Sequence, residues 1–137
     1  MARILAVDDE PGMLKLLAMI VREKTPHAVE TTNNPIEAVQ IVRRGGVDLV
    51  IADLKMPGLD GSELLEAIRA FSEIPVIIIT AFGSEEAAAE VREKGVFDFI
   101  LKPFRKEQIV LAIGRALAWA ALQRENRALK DRLAPPG

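Results

Sequence analysis

With 137 residues, the chain fits one domain, which at this size buries about two thirds of its unfolded surface, and it leaves little room for a second. Half of it is hydrophobic, 28% is charged and no cysteine occurs, which excludes a disordered chain, a disulfide scaffold and thiolate chemistry. The net charge of -2 conceals a split: residues 1–103 carry 11 Lys/Arg against 17 Asp/Glu, and residues 104–137 carry 7 against 3. Seven scattered cations suit a solvated helix face better than a nucleic-acid surface, so no direct nucleic-acid contact is expected. The uncharged stretch from Ile74 to Gly83 is too short to cross a membrane. Asp8, Asp9 and Glu10 interrupt the opening apolar run too early for a signal peptide. No membrane association and a cytoplasmic location are therefore the expectation.

Five apolar runs alternate with helical patterns. Arg3 to Val7 has no polar alternation, as in a strand buried on both faces. Pro11 opens a helix that reaches Lys24 and stops at Thr25-Pro26. His27, just past that breaker, is expected to be exposed and has no assigned role. Ala28 to Thr32 is a weak second strand. Asn34-Pro35-Ile36-Glu37 reads as an N-cap with proline at the first helical position, and that helix dies at Gly45-Gly46. Asp48 to Ala52 is a third strand, ending in Asp53. A loop punctuated by Pro57, Gly58 and Gly61 follows, and Asp60 with Glu63 predicts a capping box for a helix from Ser62 to Phe71. Val76 to Thr80 is the strongest strand pattern. Ser84 caps an alanine- and glutamate-rich helix that stops at Lys94-Gly95. Phe97 to Leu101 is the fifth strand, and helical periodicity then continues from about Lys106 to Leu133. Such alternation predicts an α/β fold with crossover connections and a parallel sheet.

Ligand sites of open parallel sheets lie outside the carboxyl ends of the strands. The polar residues at those ends are Asp8 and Asp9, Asp53, Thr80 and Lys102. Carboxylates converging on one rim repel each other unless a cation sits among them. With His27 the only histidine, the natural candidate is a hard divalent ion with oxygen ligands, and Mg²⁺ fits. A cation, a carboxylate, a hydroxyl donor and an ammonium are together what a phosphoryl group requires. Taken singly, each residue has a plainer role: a helix cap for Asp9, a turn former for Asp53, core packing for Phe99.

Through Val7-Asp8-Asp9-Glu10-Pro11, Asp53-Leu54-Lys55-Met56-Pro57 with Gly61, Thr80-Ala81 and Lys102-Pro103-Phe104, residues 3 to about 117 resemble the receiver domain of two-component response regulators. The resemblance implies a doubly wound, five-stranded parallel sheet of flavodoxin-like order 2-1-3-4-5. It implies that Asp53 accepts a phosphoryl group from a sensor histidine kinase. It makes Asp9 a direct ligand of Mg²⁺, Asp8 a ligand largely through water and the backbone carbonyl of Lys55 a further one. Thr80 and Lys102 contact the phosphoryl oxygens, Thr80 and Phe99 form the switch, and the bond before Pro103 is cis. The loop Ala81-Phe82-Gly83 is then the bistable element. Such a domain is not an enzyme in its own right: it catalyses only its own aspartyl phosphorylation and dephosphorylation.

The last helix, about 42 Å at helical rise, outruns the domain it covers. Ile109, Ile113, Ala116 and Leu117 face the sheet. Beyond them a heptad frame places Arg115, Leu122 and Leu129 at one seam position and Trp119, Asn126 and Leu133 at the other. The expected division is a receiver domain over 1–117, a helical extension over 118–134 acting as a coiled-coil linker that forms a homodimer, and the start of a flexible linker at 135–137. This extension resembles that of nitrogen-regulator-class proteins, which join the receiver to a sigma-54-activating ATPase and a DNA-binding domain. Neither output domain nor a phosphate-binding glycine loop is present, so the chain is expected to be the regulatory piece of a longer activator. The alternative is a stand-alone phosphorelay shuttle or interaction module. A haloacid-dehalogenase-type phosphatase would carry a second carboxylate where Lys55 stands.

Overall fold

The computed structural model describes residues 1–81 and 83–133. The expected linker at 135–137 and Phe82 of the Ala81-Phe82-Gly83 loop lie outside the described residues. Strands and helices alternate as β1 (Arg3–Val7), α1 (Pro11–Lys24), β2 (Ala28–Thr32), α2 (Pro35–Arg43), β3 (Leu49–Ala52), α3 (Gly61–Arg69), β4 (Val76–Thr80), α4 (Glu85–Glu93), β5 (Asp98–Leu101) and α5 (Lys106–Leu133). All pairings are parallel, and the sheet order is β2-β1-β3-β4-β5. The fold is therefore a doubly wound, five-stranded parallel sheet of flavodoxin-like order with a long C-terminal helix.

Side chains alternate across the sheet and feed two apolar layers. Leu5, Val7, Val50, Ala52, Val76 and Ile78 pack with α2, α3 and α4. Ile4, Ala6, Leu49, Ile51, Ile77 and Ile79 pack with α1 and α5. The central strands are buried on both sides, which is why their sequences lack polar alternation.

The caps behave as their residues dictate. Asn34 Oδ1 accepts from the N–H groups of Ile36 and Glu37, and Asp60 and Glu63 form the reciprocal capping box. The helix after it starts at Gly61 and ends at Arg69, short of Phe71. β3 begins at Leu49 and β5 at Asp98, each one residue later than the sequence predicts. Asp48 instead clamps the lead-in to β3, its carboxylate accepting from the Arg3 N–H at 2.8 Å. His27 is half-buried, and its Nδ1 accepts from the Ala2 N–H at 3.1 Å. A ring nitrogen that satisfies the N-terminal backbone replaces the free side chain expected there.

In α5 the buried residues are Ile109, Ala112, Ile113 and Ala116. Trp119 does not stand free on a seam: its ring packs on Phe97, with centroids 5.7 Å apart. Arg124 lies 3.9 Å from Asp48, and Arg127 pairs with Glu73. Leu122, Leu129 and Leu133 are exposed. Among the described residues, no helix is long and apolar enough to cross a membrane.

Candidate functional site

Strand register builds the site. Val7 of β1 is paired with Ala52 of β3, so the residues that follow, Asp8 and Asp53, emerge side by side. Their own N–H groups continue the ladder, Asp8 to the Thr32 carbonyl at 3.3 Å and Asp53 to the Val7 carbonyl at 3.2 Å. Thr80 of β4 is paired with Leu101 of β5, and the Lys102 N–H donates to the Thr80 carbonyl at 2.9 Å. Four polar residues are thereby set on one rim by sheet geometry alone. The Lys102-Pro103 bond is cis.

Asp8 is 2% exposed, Asp53 5% and Thr80 0%, and buried charge at that level needs compensation. Lys102 supplies part of it: its Nζ lies 2.8 Å from Asp53 Oδ2 and 3.5 Å from Asp8 Oδ2. The other oxygens find backbone donors, Asp53 Oδ1 the Lys55 N–H at 3.1 Å and Asp8 Oδ1 the Glu10 N–H at 2.9 Å. Gly61 packs so closely that a Cβ there would fall 2.4 Å from the Asp53 carbonyl oxygen. The start of α3 is thus pressed onto the peptide that carries Asp53.

The carboxylates of Asp8, Glu10 and Asp53 offer oxygens that all lie within 4.8 Å of one another. Three carboxylates against one ammonium leave the cluster negative. Burial raises the Asp8 carboxyl above its ordinary value, and the charges of Asp53 and Glu10 add to the rise; the Glu10 N–H and Lys102 oppose it. For Lys102, burial works to lower the ammonium, but the hydrogen bond and charge of Asp53, with Asp8 and Glu10 behind them, raise it overall. An all-oxygen donor set with excess negative charge fits a hard divalent cation.

Asp8, Asp53 and Lys102 are therefore brought together, with Thr80 at the end of the strand beside Asp53. Asp9 is exposed and stands outside the group of three carboxylates. Lys55 is exposed and contributes its N–H to Asp53. Phe99 is half-buried against the core beneath α4, and a Cβ on Gly83 would lie 3.4 Å from its Cε1. The site residue that strand-end reading passes over is Glu10. It is the N-cap of α1 without a side-chain cap bond, which leaves its carboxylate to the cluster. The third acid of the Asp8-Asp9-Glu10 run, directly before the helix-opening Pro11, was the available signal.

Among known proteins, the family model described as response regulator receiver domain matches residues 4–114. The transcriptional regulatory protein GlrR of Escherichia coli is 39% identical over 127 residues, covering 92% of this chain and 28% of that protein. ResD of Bacillus subtilis, also a transcriptional regulatory protein, is 36% identical over 87% of this chain and 49% of its own length. The crystal structure of NtrX from Brucella abortus in complex with ADP superposes with a TM-score of 0.85 at 33% identity, covering the whole of this chain and 31% of that one. The chain thus spans less than half the length of these relatives.

Proposed function

The chain belongs to the response regulator receiver domain family, and from that premise we propose that Asp53 is its phosphoacceptor, charged by a sensor histidine kinase. A receiver domain is not a stand-alone enzyme; its only catalysis is its own phosphorylation and dephosphorylation. The observation that carries the assignment is a buried Asp53 carboxylate whose Oδ2 is 2.8 Å from Lys102 Nζ and within reach of two further carboxylates. In the proposed step an Asp53 oxygen forms a P–O bond as the P–N bond of a phosphohistidine breaks. The leaving imidazole keeps the electron pair and takes up a proton.

In this reading Lys102, already bonded to Asp53, follows the charge from the carboxylate to the phosphoryl oxygens, and the Thr80 hydroxyl donates to one of them. Mg²⁺ would be held by Asp8, Asp9, Asp53 and the Lys55 carbonyl, with Glu10 added by the geometry. When bound, it neutralises phosphoryl charge. A groove of about 420 Å³ lined by Met13, Leu16, Ala81, Lys102, Pro103 and Phe104 opens beside the rim. It offers the kinase an apolar approach to Asp53.

Intact-protein mass spectrometry tests the assignment. With acetyl phosphate and Mg²⁺ the chain is expected to gain one phosphoryl group and Asp53→Ala to gain none; an equal yield in the variant overturns it.

For the output, likeness to the transcriptional regulatory protein GlrR supports a receiver domain over 1–117 that controls transcription, and the resemblance of the extension to nitrogen-regulator-class proteins favours a sigma-54-dependent output. The alternative of a phosphorelay shuttle shares the Asp53 chemistry. The exposed Leu122, Leu129 and Leu133 support a homodimer through the extension 118–134, since each buried leucine contributes about 1.5–3 kcal/mol. The contacts of Trp119, Arg124 and Arg127 with the domain leave the leucine side of the helix for the partner. Sedimentation of Leu122→Ala/Leu129→Ala beside the wild type at about 100 μM checks it: identical monomers would make the extension a mere linker.

A further inference from the structure

Helix α4 buries only two side chains, Ala88 and Val91. Its polar tie sits at its C-terminal end. Lys94, the C-cap residue, donates from Nζ to Ser62 Oγ at 2.7 Å. The same ammonium is 3.1 Å from Glu66 and 3.3 Å from Glu90. Ser62 Oγ accepts from Lys94 and donates to Glu90 at 3.2 Å, so its hydrogen-bonding capacity is used in both directions. Ser62 is 3% exposed and directly follows Gly61, which is packed onto the Asp53 carbonyl. The network therefore runs from the peptide of Asp53, through the first turn of α3, to the last turn of α4.

We propose that Lys94 is a positioning residue, a latch that holds α4 on α3 while Asp53 is a free carboxylate and that yields when Asp53 is phosphorylated. The inference rests on the phosphoacceptor reading above and specifies how its response is restrained. The Lys94 network is formed while Asp53 Oδ2 is hydrogen-bonded to Lys102. The two ends of α4 are held by different things. Its N-cap, Ser84, comes four residues after the buried Thr80, so that end is tied by a short stretch of chain to the rim that carries Asp53. The other end is fixed to α3, which Leu64, Leu65 and Ile68 anchor in the core.

Half-exposed ion pairs are individually weak. Three partners on one ammonium, one of them a buried hydroxyl, bias the helix without locking it, as a bistable element requires. The hydrogen bond to Glu66 raises the Lys94 ammonium above the ordinary lysine value; partial burial opposes this and Glu90 supports it. The latch thus stays charged throughout the neutral range. By linkage, a contact present in the resting arrangement and lost in the switched one weakens the binding of whatever favours the switched one by the same factor.

The test titrates the full chain with beryllium fluoride and Mg²⁺, following α4 amide chemical shifts, in wild type, Lys94→Met and Ser62→Ala. Both variants are expected to bind beryllium fluoride about threefold to tenfold more tightly, while maximal phosphoryl uptake from acetyl phosphate stays at one group. A merely structural role would lower the melting temperature and leave that affinity unchanged. Unchanged or weaker binding by Lys94→Met overturns the latch, and Ser62→Ala decides in the same way if Lys94→Met does not fold. A wild-type chain that takes up neither beryllium fluoride nor a phosphoryl group refutes the phosphoacceptor reading itself, a result distinct from equal affinities.

Discussion

Helices α3 and α4 are each nine residues long, each starts from a side-chain cap and each leaves the same rim of the sheet. They are attached to it by different means. α3 buries Leu64, Leu65 and Ile68 and sets Gly61 against the Asp53 peptide, whereas α4 is built from alanine and glutamate and buries Ala88 and Val91. A buried leucine or isoleucine contributes about 1.5–3 kcal/mol, and an alanine has only one methyl group to bury. Caps and length decide where a helix starts and stops; large apolar side chains decide whether it stays. α3 belongs to the frame that holds Asp53, and α4 is anchored to that frame by less apolar surface.

Truncation should give the largest difference. Leu64→Ala is expected to cost about 2–5 kcal/mol of folding stability, and Ala88→Gly in α4 about 1 kcal/mol. Denaturant titration of the two variants measures both, and equal losses would erase the distinction between the helices.

Two glycines sharpen it further. In Gly61→Ala the new Cβ meets backbone, the Asp53 carbonyl, which cannot swing aside; overpacking of this kind costs about 1–3 kcal/mol. In Gly83→Ala the nearest obstacle is the end of the Leu101 side chain, which is 52% exposed and free to rotate. A smaller loss is expected, and melting temperatures would show it; a loss at Gly83 matching that at Gly61 would mean that the α4 side is as rigid as the α3 side.

The smallest effect concerns the charges of the rim that both helices leave. The Asp8 carboxyl is raised above 3.8, so the unfolded chain gives up that proton first and the group's contribution to stability falls as pH rises through and above that value. Asp8→Asn should therefore be more stable than wild type near neutrality, with the difference shrinking toward pH 4. Lys102 is raised above 10.5; its contribution is complete below that value and is lost as pH climbs through its higher folded value. Melting temperature against pH checks both, and a difference for Asp8→Asn that does not grow between about pH 4 and 7 would contradict the burial of Asp8 as its cause.

Much of this is legible in the sequence alone. β1, α1, β2, β4 and α5 start and stop where apolar runs, Pro11, Thr25-Pro26 and the unbroken last helix place them. Counting to the end of each strand finds Asp8, Asp53, Thr80 and Lys102, because a parallel sheet delivers all its carboxyl ends to one rim. Glu10 escaped that count: it follows no strand directly, and only the turn into α1 brings its carboxylate back beside Asp53. Ser62 and Lys94 are 32 residues apart, and no local pattern relates a serine in the first turn of one helix to the C-cap of another.

Trp119 shows the boundary most sharply. A seven-residue repeat sets it on one seam with Asn126 and Leu133, yet its ring lies on Phe97. Periodicity determines which residues of a helix share a face, since that depends on 3.6 residues per turn and on nothing outside the segment. Which face meets the domain depends on what the rest of the chain offers at that height, and here Phe97, Asp48 and Glu73 claim the side bearing Trp119, Arg124 and Arg127. Local covalent geometry and side-chain pattern determined the elements, their order along the chain and the rim residues. Packing between elements distant in sequence decided how the charges are paired and how firmly each helix is anchored.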